Sequence, residues 1–254
     1  MQNIFDSHCH YSDEAFDEDR EEILSAMKDG GVSYLLHAGT NAETNRFGVS
    51  YAKKHDFFYT SVGIHPEDIP YASEADFLEA EKLMSEEKVV AVGEIGLDYH
   101  YEEYDREKQI YAFERQLDMA KAHNLPVIIH SRDATADCMN ILKKYKPRGV
   151  MHCFSGSAET AREVLALGMY ISFTGVVTFK NARKAQEAVM AIPIDRLLLE
   201  TDCPYMAPEP NRGKRCDSRM IAYTAAKIGE LKGLSAQEII DTATKNTKRL
   251  FNII

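Results

Sequence analysis

Six side chains of the kinds that bind divalent metal ions follow short apolar runs of the chain. They comprise an H-x-H pair and four single residues, namely His8, His10, Glu94, His130, His152 and Asp202. In an extended chain, residues two apart point to the same side, so both imidazoles of the pair can face one ion. Imidazole and carboxylate ligands suit divalent ions with exchangeable positions. Six ligands exceed one tetrahedral site and a carboxylate can bridge, so we predict two ions (Mg, Mn or Zn) about 3.5–4 Å apart.

Five further polar or cationic side chains follow the same apolar runs or lie in residues 207–215, the loop after the last of these runs. The predicted substrate-binding residues are His65, Arg132, Arg212, Lys214 and Arg215. Arginine binds phosphate through two hydrogen bonds, and the last loops of a barrel are favoured phosphate sites. Because the whole chain has a net charge of −10, a local cluster of cations predicts recognition of an anionic substrate. A solvated basic turn is the alternative interpretation of the last loop.

The elements that must position these residues alternate regularly. Eight apolar, strand-like runs occupy residues 4–6, 32–36, 58–62, 89–92, 127–129, 149–151, 170–173 and 197–199. Helical patterns lie at 18–29, 42–54, 74–86, behind an N-cap at Asp105, and at 133–145, 157–167, 180–191, 217–232 and 235–249. Continuous apolar runs suit strands buried on both faces, as in parallel sheets.

Eight strand–helix units in about 250 residues match the size and rhythm of a TIM barrel. A doubly wound sheet is the alternative, but the chain has neither a G-x-G-x-x-G turn nor a Walker A loop. We therefore predict a single α/β domain over residues 1–254, a (β/α)8 barrel with an extra C-terminal helix. The carboxyl ends of barrel strands converge on one face, so the six ligand candidates are expected in one pocket. A lone histidine at a strand end would more often be structural.

Charge, cysteine content and hydropathy narrow the class of protein. No apolar run reaches the roughly 18 residues of a membrane span, and no signal peptide is predicted at the N-terminus. The five cysteines are odd in number and form no C-x-x-C pair, which argues against a disulfide framework or a structural zinc knuckle. These features predict a cytoplasmic protein without a membrane partner. The acidic segment, Asp13–Glu22, is interpreted as the solvated start of the first helix.

The motifs together resemble the TatD family of metal-dependent deoxyribonucleases, within the amidohydrolase-type barrels. They are Asp6-Ser7-His8-Cys9-His10, Gly63-Ile64-His65-Pro66, Gly93-Glu94-Ile95-Gly96-Leu97-Asp98-Tyr99, Ile129-His130-Ser131-Arg132-Asp133-Ala134, His152-Cys153-Phe154-Ser155-Gly156, Glu200-Thr201-Asp202-Cys203-Pro204-Tyr205 and Arg212-Gly213-Lys214-Arg215. The resemblance implies His8, His10 and Asp202 on one ion, His130 and His152 on the other, and Glu94 bridging. It also implies hydrolysis of phosphodiester bonds in DNA. The family usually has Asn after the Gly-Lys-Arg run, where this chain has Cys216, followed by Asp217 and Ser218 as candidate helix caps.

The predicted function is therefore a divalent-metal-dependent phosphodiesterase, a 3'-5' exonuclease on single-stranded DNA with RNA as a second candidate substrate. Asp202, Glu94 and His65 are the predicted catalytic residues, with Asp202 as general base. His65 and the cationic residues would hold phosphate oxygens. A small-molecule amidohydrolase or esterase using the same two ions is the alternative, and a non-enzymatic metal-binding scaffold is a further one. No organic cofactor is predicted, and the sequence gives no prediction of oligomeric state.

Overall fold

The computed structural model describes all 254 residues, along which eight strands alternate with helices. The strands are β1 (Ile4–Cys9), β2 (Val32–His37), β3 (Phe58–Val62), β4 (Val89–Asp98), β5 (Val127–Arg132), β6 (Gly149–Met151), β7 (Tyr170–Phe173) and β8 (Leu197–Leu199). The helices are α1 (Arg20–Ser25), α2 (Ala42–Lys54), α3 (Glu74–Leu83), α4 (Arg106–Ala122), α5 (Thr135–Tyr145), α6 (Ala158–Ala166), α7 (Arg183–Ala191), α8 (Ile221–Lys232) and α9 (Ala236–Phe251). All eight predicted runs are strands. No helix combines the length and hydropathy needed to cross a membrane.

The strands are hydrogen-bonded in sequential order from β1 to β8, and β8 leads back to β1. The backbone N–H of Asp202 donates to the carbonyl of His8 at 3.0 Å, and that of His10 donates to the carbonyl of Cys203 at 2.8 Å. A sequential order whose last strand lies beside the first is a (β/α)8 barrel. The predicted fold is confirmed, the doubly wound alternative is wrong, and α9 is the extra C-terminal helix.

The chain forms two compact units. The first contains residues 1–37, 152–166 and 170–254, with strands β1, β2, β7 and β8; the second contains residues 38–151 and 167–169, with β3 to β6. Every residue of β1 and of β4 is buried. The continuous apolar runs therefore mark strands covered on both faces, as expected for a parallel sheet.

Helix boundaries agree with the capping signals in the sequence. The Asp105 side chain accepts the backbone N–H of Lys108 at the start of α4, as predicted. The first helix, α1, is shorter than the predicted 18–29, because residues 26–30 form turns, and a separate 3-10 helix, Glu14–Phe16, precedes it. The Asp13 side chain caps this short helix by accepting the N–H of Ala15. Asp217 likewise caps a short 3-10 helix before α8.

Two buried amide side chains fix the end of β3. Asn45 of α2 accepts the N–H of Gly63 at 3.1 Å and donates to its carbonyl at 3.0 Å. Gln116 of α4 accepts the N–H of Ile64 at 2.7 Å and donates to its carbonyl at 3.0 Å. These pairs satisfy backbone groups that have left the sheet ladder. They hold the chain that presents His65.

A third buried amide acts in the same way at the end of β4. The side chain of Gln109 accepts the N–H of Asp98 at 2.9 Å and donates to its carbonyl at 2.8 Å. Both residues are buried. An amide that pairs with both backbone groups of one residue fixes that residue's position, so α4 positions the last residue of β4.

Replacing Gln109 with leucine would keep most of the side-chain volume but remove both hydrogen bonds to Asp98. Each buried polar group left without a partner costs about 1–3 kcal/mol, so we expect the free energy of unfolding in urea to fall by about 2 kcal/mol or more. Lys121→Leu, on the exposed part of the same helix, is the control and should change it by less than about 0.5 kcal/mol. Equal losses in both variants would contradict the anchoring role.

Candidate metal centre

The first unit brings three of the predicted ligands together at the ends of β1 and β8. The Nε2 atoms of His8 and His10 are 3.0 Å apart. The Oδ1 atom of Asp202 lies 3.2 Å from Nε2 of His10 and 3.6 Å from Nε2 of His8. Both imidazoles of the H-x-H pair thus face the same carboxylate, as expected for residues two apart in an extended chain.

His152 joins this group from the end of β6. Its ring stacks on that of His8 with 4.0 Å between the ring centroids. The ligand atoms of His8, His152 and Glu200 lie within 4.8 Å of one another. Glu200 is not among the ligands predicted from the sequence, although it lies two residues before Asp202.

Glu200 is fully buried and its two carboxylate oxygens are already hydrogen-bonded. Oε2 accepts the hydroxyl of Ser172 at 2.6 Å, and Oε1 accepts the backbone N–H of Cys153 at 2.5 Å. Oε1 also lies 3.6 Å from Nδ1 of His152. These contacts hold the Glu200 carboxylate beside the His152 ring, at an ion-pair distance and not in a hydrogen bond.

The charge of Asp202 depends on the surrounding imidazoles. Burial alone would raise the pKa of this carboxyl group, but the hydrogen bond with His10 and the charges of His10, His8 and His152 lower it to about 2. Asp202 is therefore ionised at neutral pH. A carboxylate among three imidazoles is a donor set suited to a divalent ion such as Zn, Mn or Mg.

A buried carboxyl group fixes the segment that carries Asp202. Oδ2 of Asp6 accepts the hydroxyls of Thr201 at 2.5 Å and of Ser218 at 2.6 Å. Its Oδ1 accepts the backbone N–H of Thr201 at 3.0 Å. Burial raises the pKa of Asp6 to about 7, against the opposing effect of these hydrogen bonds. Asp6 thus ties β1 to the segment after β8 and to the turn before α8.

The second unit brings together Glu94, His130 and His65, whose ligand atoms also lie within 4.8 Å of one another. Oε1 of Glu94 is 2.8 Å from Nδ1 of His130 and 3.4 Å from Nε2 of His65. The register of β4 against β5, which pairs Gly96 with His130, sets this approach. The unit therefore holds a second set of imidazole and carboxylate donors.

Asp98 is a site residue that the sequence analysis missed. Its Oδ2 lies 2.9 Å from Nε2 of His130. Burial raises the pKa of Asp98, but the hydrogen bonds with His130 and the backbone of His100, with the charges of His130 and Arg132, lower it overall. An ionised carboxylate holds the proton on Nε2 and leaves Nδ1, the nitrogen facing Glu94, to bind a metal ion. The sequence did indicate this position: Asp98 lies four residues after Glu94 on β4, and that spacing places both side chains on one face of the strand.

The predicted substrate-binding cations differ in their surroundings. The guanidinium of Arg132 lies 5.4 Å from the ring centroid of Tyr101, and that of Arg212 lies 4.5 Å from that of Phe179. The Lys214 ammonium is 3.3 Å from an oxygen of Asn211. Each of these contacts is compatible with a further anionic partner.

Arg215 is already paired with a carboxylate. Its guanidinium donates two hydrogen bonds to Asp19, at 2.8 and 2.5 Å, and a third to the carbonyl of Ala15. The hydroxyl of Tyr205 donates to Asp13 at 2.7 Å. Asp13 and Asp19 lie at helix starts, as predicted, and they also pair with residues that follow β8.

A cleft of about 800 Å³ lies between the acidic segment and residues 212–215, which we call the basic loop. Its lining combines four acidic residues with two cations and one exposed ring, namely Asp13, Glu14, Asp17, Glu18, Lys214, Arg215 and Tyr205. The basic loop thus faces acidic side chains, which reduces its attraction for a polyanion.

Comparison with known proteins agrees with the fold and with this donor chemistry. The family described as TatD-related DNase matches residues 5–252. YabD, an uncharacterized metal-dependent hydrolase of Bacillus subtilis, is 44% identical over 253 residues, which cover 98% of this chain and 99% of that protein. The 3'-5' ssDNA/RNA exonuclease TatD of Erwinia tasmaniensis is 32% identical, covering 98% of this chain and 100% of that protein.

A crystal structure gives the same result for the fold. YjjV, a TatD homologue from Escherichia coli K12, is similar to this chain with a TM-score of 0.94 and 32% identity, covering 99% of both chains. Since the family and these relatives match nearly the whole length, the chain belongs to the TatD-related DNase family and is a metal-dependent hydrolase of that family.

Proposed function

We propose that this hydrolase cleaves phosphodiester bonds in DNA, acting from the 3' end of single strands, with RNA as a second substrate. The observation that carries the proposal is the presence, in each compact unit, of an imidazole–carboxylate donor set at the carboxyl ends of strands. The printed name of the Erwinia relative, an exonuclease on single-stranded DNA and RNA, supports this substrate class.

We further propose that the ligands hold two divalent ions. His8, His10 and Asp202 would bind one ion, His130 and His152 the other, and Glu94 would bridge them. Nitrogen and oxygen donors without a thiolate fit Zn, Mn or Mg. Such ions supply Lewis-acid activation of the phosphate and of the attacking water.

The protein's own side chains would then accept protons and stabilise the negative charge that develops on the phosphate. Asp202, ionised at neutral pH, would accept the proton of the attacking water. His65 and Arg132, at the ends of β3 and β5, would donate hydrogen bonds to phosphate oxygens as negative charge develops. Asp98 would act through His130 by fixing its orientation, as a positioning residue.

A small-molecule amidohydrolase or esterase is a second candidate, and the surroundings of Arg215 favour it. This guanidinium is paired with Asp19, and the cleft beside it is lined by four acidic residues. A small neutral substrate would need neither the basic loop nor a cationic path. The salt dependence of binding separates the two candidates.

His130→Ala and His152→Ala should each abolish hydrolysis of single-stranded DNA, because each removes a proposed metal ligand. Both side chains lie at strand ends, so circular dichroism and thermal unfolding should show a folded barrel. His123→Ala, at the end of α4, is the control and should retain full turnover. DNA turnover in both ligand variants would contradict the proposed centre.

The double variant Lys214→Ala/Arg215→Ala tests the substrate class. Each phosphate contact contributes about −0.7 to the slope of log affinity against log salt for a single strand. Removing two contacts should flatten the slope by about 1.4 units, or by about 0.7 if Asp19 keeps Arg215 from the DNA. The measurement is fluorescence anisotropy with a labelled oligonucleotide at several salt concentrations.

The matched control is Lys53→Ala/Lys54→Ala at the end of α2, where one cation is likewise paired, with Glu86. Its slope should equal that of the unaltered protein. An unchanged slope in the Lys214→Ala/Arg215→Ala variant would show that the basic loop does not contact a polyanion and would favour the small-molecule candidate.

A further inference from the structure

The segment between β4 and α4, Tyr99–Asp105, is rich in rings and lies beside the second donor set. We call it the tyrosine loop. It contains Tyr99, His100, Tyr101 and Tyr104 within six residues, and it directly follows Asp98. Tyr101 is 56% exposed and Tyr104 is 39% exposed.

The start of the tyrosine loop is anchored to the donor set. Oδ1 of Asp98 accepts the backbone N–H of His100 at 2.9 Å, while Oδ2 contacts His130. The backbone N–H of Tyr99 donates to the carbonyl of Arg132 at 2.9 Å. The same carboxylate thus fixes both His130 and the loop.

The rings of the loop are held in place by further contacts. The Tyr99 hydroxyl donates to Asp137 at 2.9 Å. The Tyr99 ring stacks on that of Tyr104, with centroids 4.5 Å apart and an angle of 13° between the planes. Tyr99 and Tyr104 are thus held in place in the same loop as Tyr101, whose ring meets that of His100 edge to face at 5.2 Å.

The exposure of Tyr101 and the cation beside it indicate what the tyrosine loop binds. Burying a tyrosine ring is favourable, yet Tyr101 stays exposed at the carboxyl end of β4. The guanidinium of Arg132 lies 5.4 Å from its ring centroid. Aromatic rings next to cations that track the backbone are typical of sites for unpaired nucleobases.

The charges of the loop determine which part of a polynucleotide can lie on the rings. Glu102 and Glu103 lie between Tyr101 and Tyr104 and are exposed. These carboxylates repel phosphate groups, whereas a neutral base can stack on a ring beside them. The base would therefore lie on the tyrosines and its phosphate near Arg132.

We propose that the tyrosine loop is a subsite that stacks an unpaired nucleobase of a single-stranded polynucleotide on Tyr101, with Arg132 holding the adjoining phosphate. The proposal rests on the proposed function, because it deepens the substrate class of the same site. It also explains how a chain of net charge −10 binds a polyanion: part of the affinity comes from stacking, which salt does not screen.

The chain has no tryptophan, so Tyr101→Trp places a single tryptophan at the subsite, whose fluorescence can be excited separately from that of the tyrosines. Metal-loaded protein is titrated with a short phosphorothioate oligothymidylate, which slows cleavage, and with an abasic oligomer of the same length. We expect quenching by the first and little by the second. Tyr145→Trp is the matched control, since Tyr145 also lies beside a cation, Lys144, but at the end of α5; it should not respond to either.

Binding of the same oligomers to Tyr101→Ala provides the second measurement. Loss of one stacked base should weaken oligothymidylate binding by about tenfold or more, without changing the slope against salt. Tyr101→Phe should retain the unaltered affinity, because it keeps the ring. Tyr145→Ala should retain it as well. Affinity for the abasic oligomer should not fall.

The outcomes separate this proposal from the proposed function. Absence of quenching in Tyr101→Trp, in a protein that hydrolyses single-stranded DNA, would overturn the subsite alone. Equal losses for both oligomers in Tyr101→Ala would also overturn it, because Tyr101 would then only support Arg132. Quenching by oligothymidylate in a metal-loaded protein that hydrolyses no phosphodiester would support the subsite and overturn the proposed function.

Discussion

Buried charge at the ends of the strands is the constraint on which the rest of the structure depends. An ionised group removed from water is costly unless hydrogen bonds or opposite charges compensate it. Asp202 is compensated by three imidazoles, Glu200 by Ser172 and a backbone N–H, and Asp98 by His130 and another N–H. Each carboxylate therefore requires its neighbours in fixed positions. The barrel fixes these positions through the register of its strands and through buried amide side chains of the helices that hydrogen-bond to the strand ends.

The sequence predicted much of this arrangement because strands and helices have simple periodicities. The runs at 58–62, 149–151, 170–173 and 197–199 are strands with those bounds, since apolar runs between turns leave little freedom in where a buried strand ends. Alternation in β1 placed His8 and His10 on one side, and the capping residue Asp105 fixed the start of α4. Local rules thus determined the elements and the candidate ligands they carry. The assignment of ligands to particular ions stays a prediction.

The features that the sequence did not predict depend on pairs of residues far apart along the chain. Arg215 meets Asp19 across 196 positions, so neither residue showed that the other neutralises it. The roles of Gln109 and Gln116 were missed because a buried amide has no pattern of its own until its backbone partner is known. Asp98 and Glu200 lie inside the family motifs but were given no role, because the imidazole that each of them approaches lies on another strand and is not apparent from residue type. The exposed tyrosines after β4 were missed because exposure cannot be read from composition.

The central claim is that the two donor sets bind two divalent ions at defined atoms. The most direct test is a crystal structure of the protein grown with Mn, with anomalous difference maps calculated at the Mn absorption edge. The proposed centre should give two anomalous peaks per chain, one bound by His8, His10 and Asp202 and the other by His152 and Nδ1 of His130, with Glu94 contacting both. A single peak, or peaks bound to Nε2 of His130 with Asp98 displaced from it, would contradict the account.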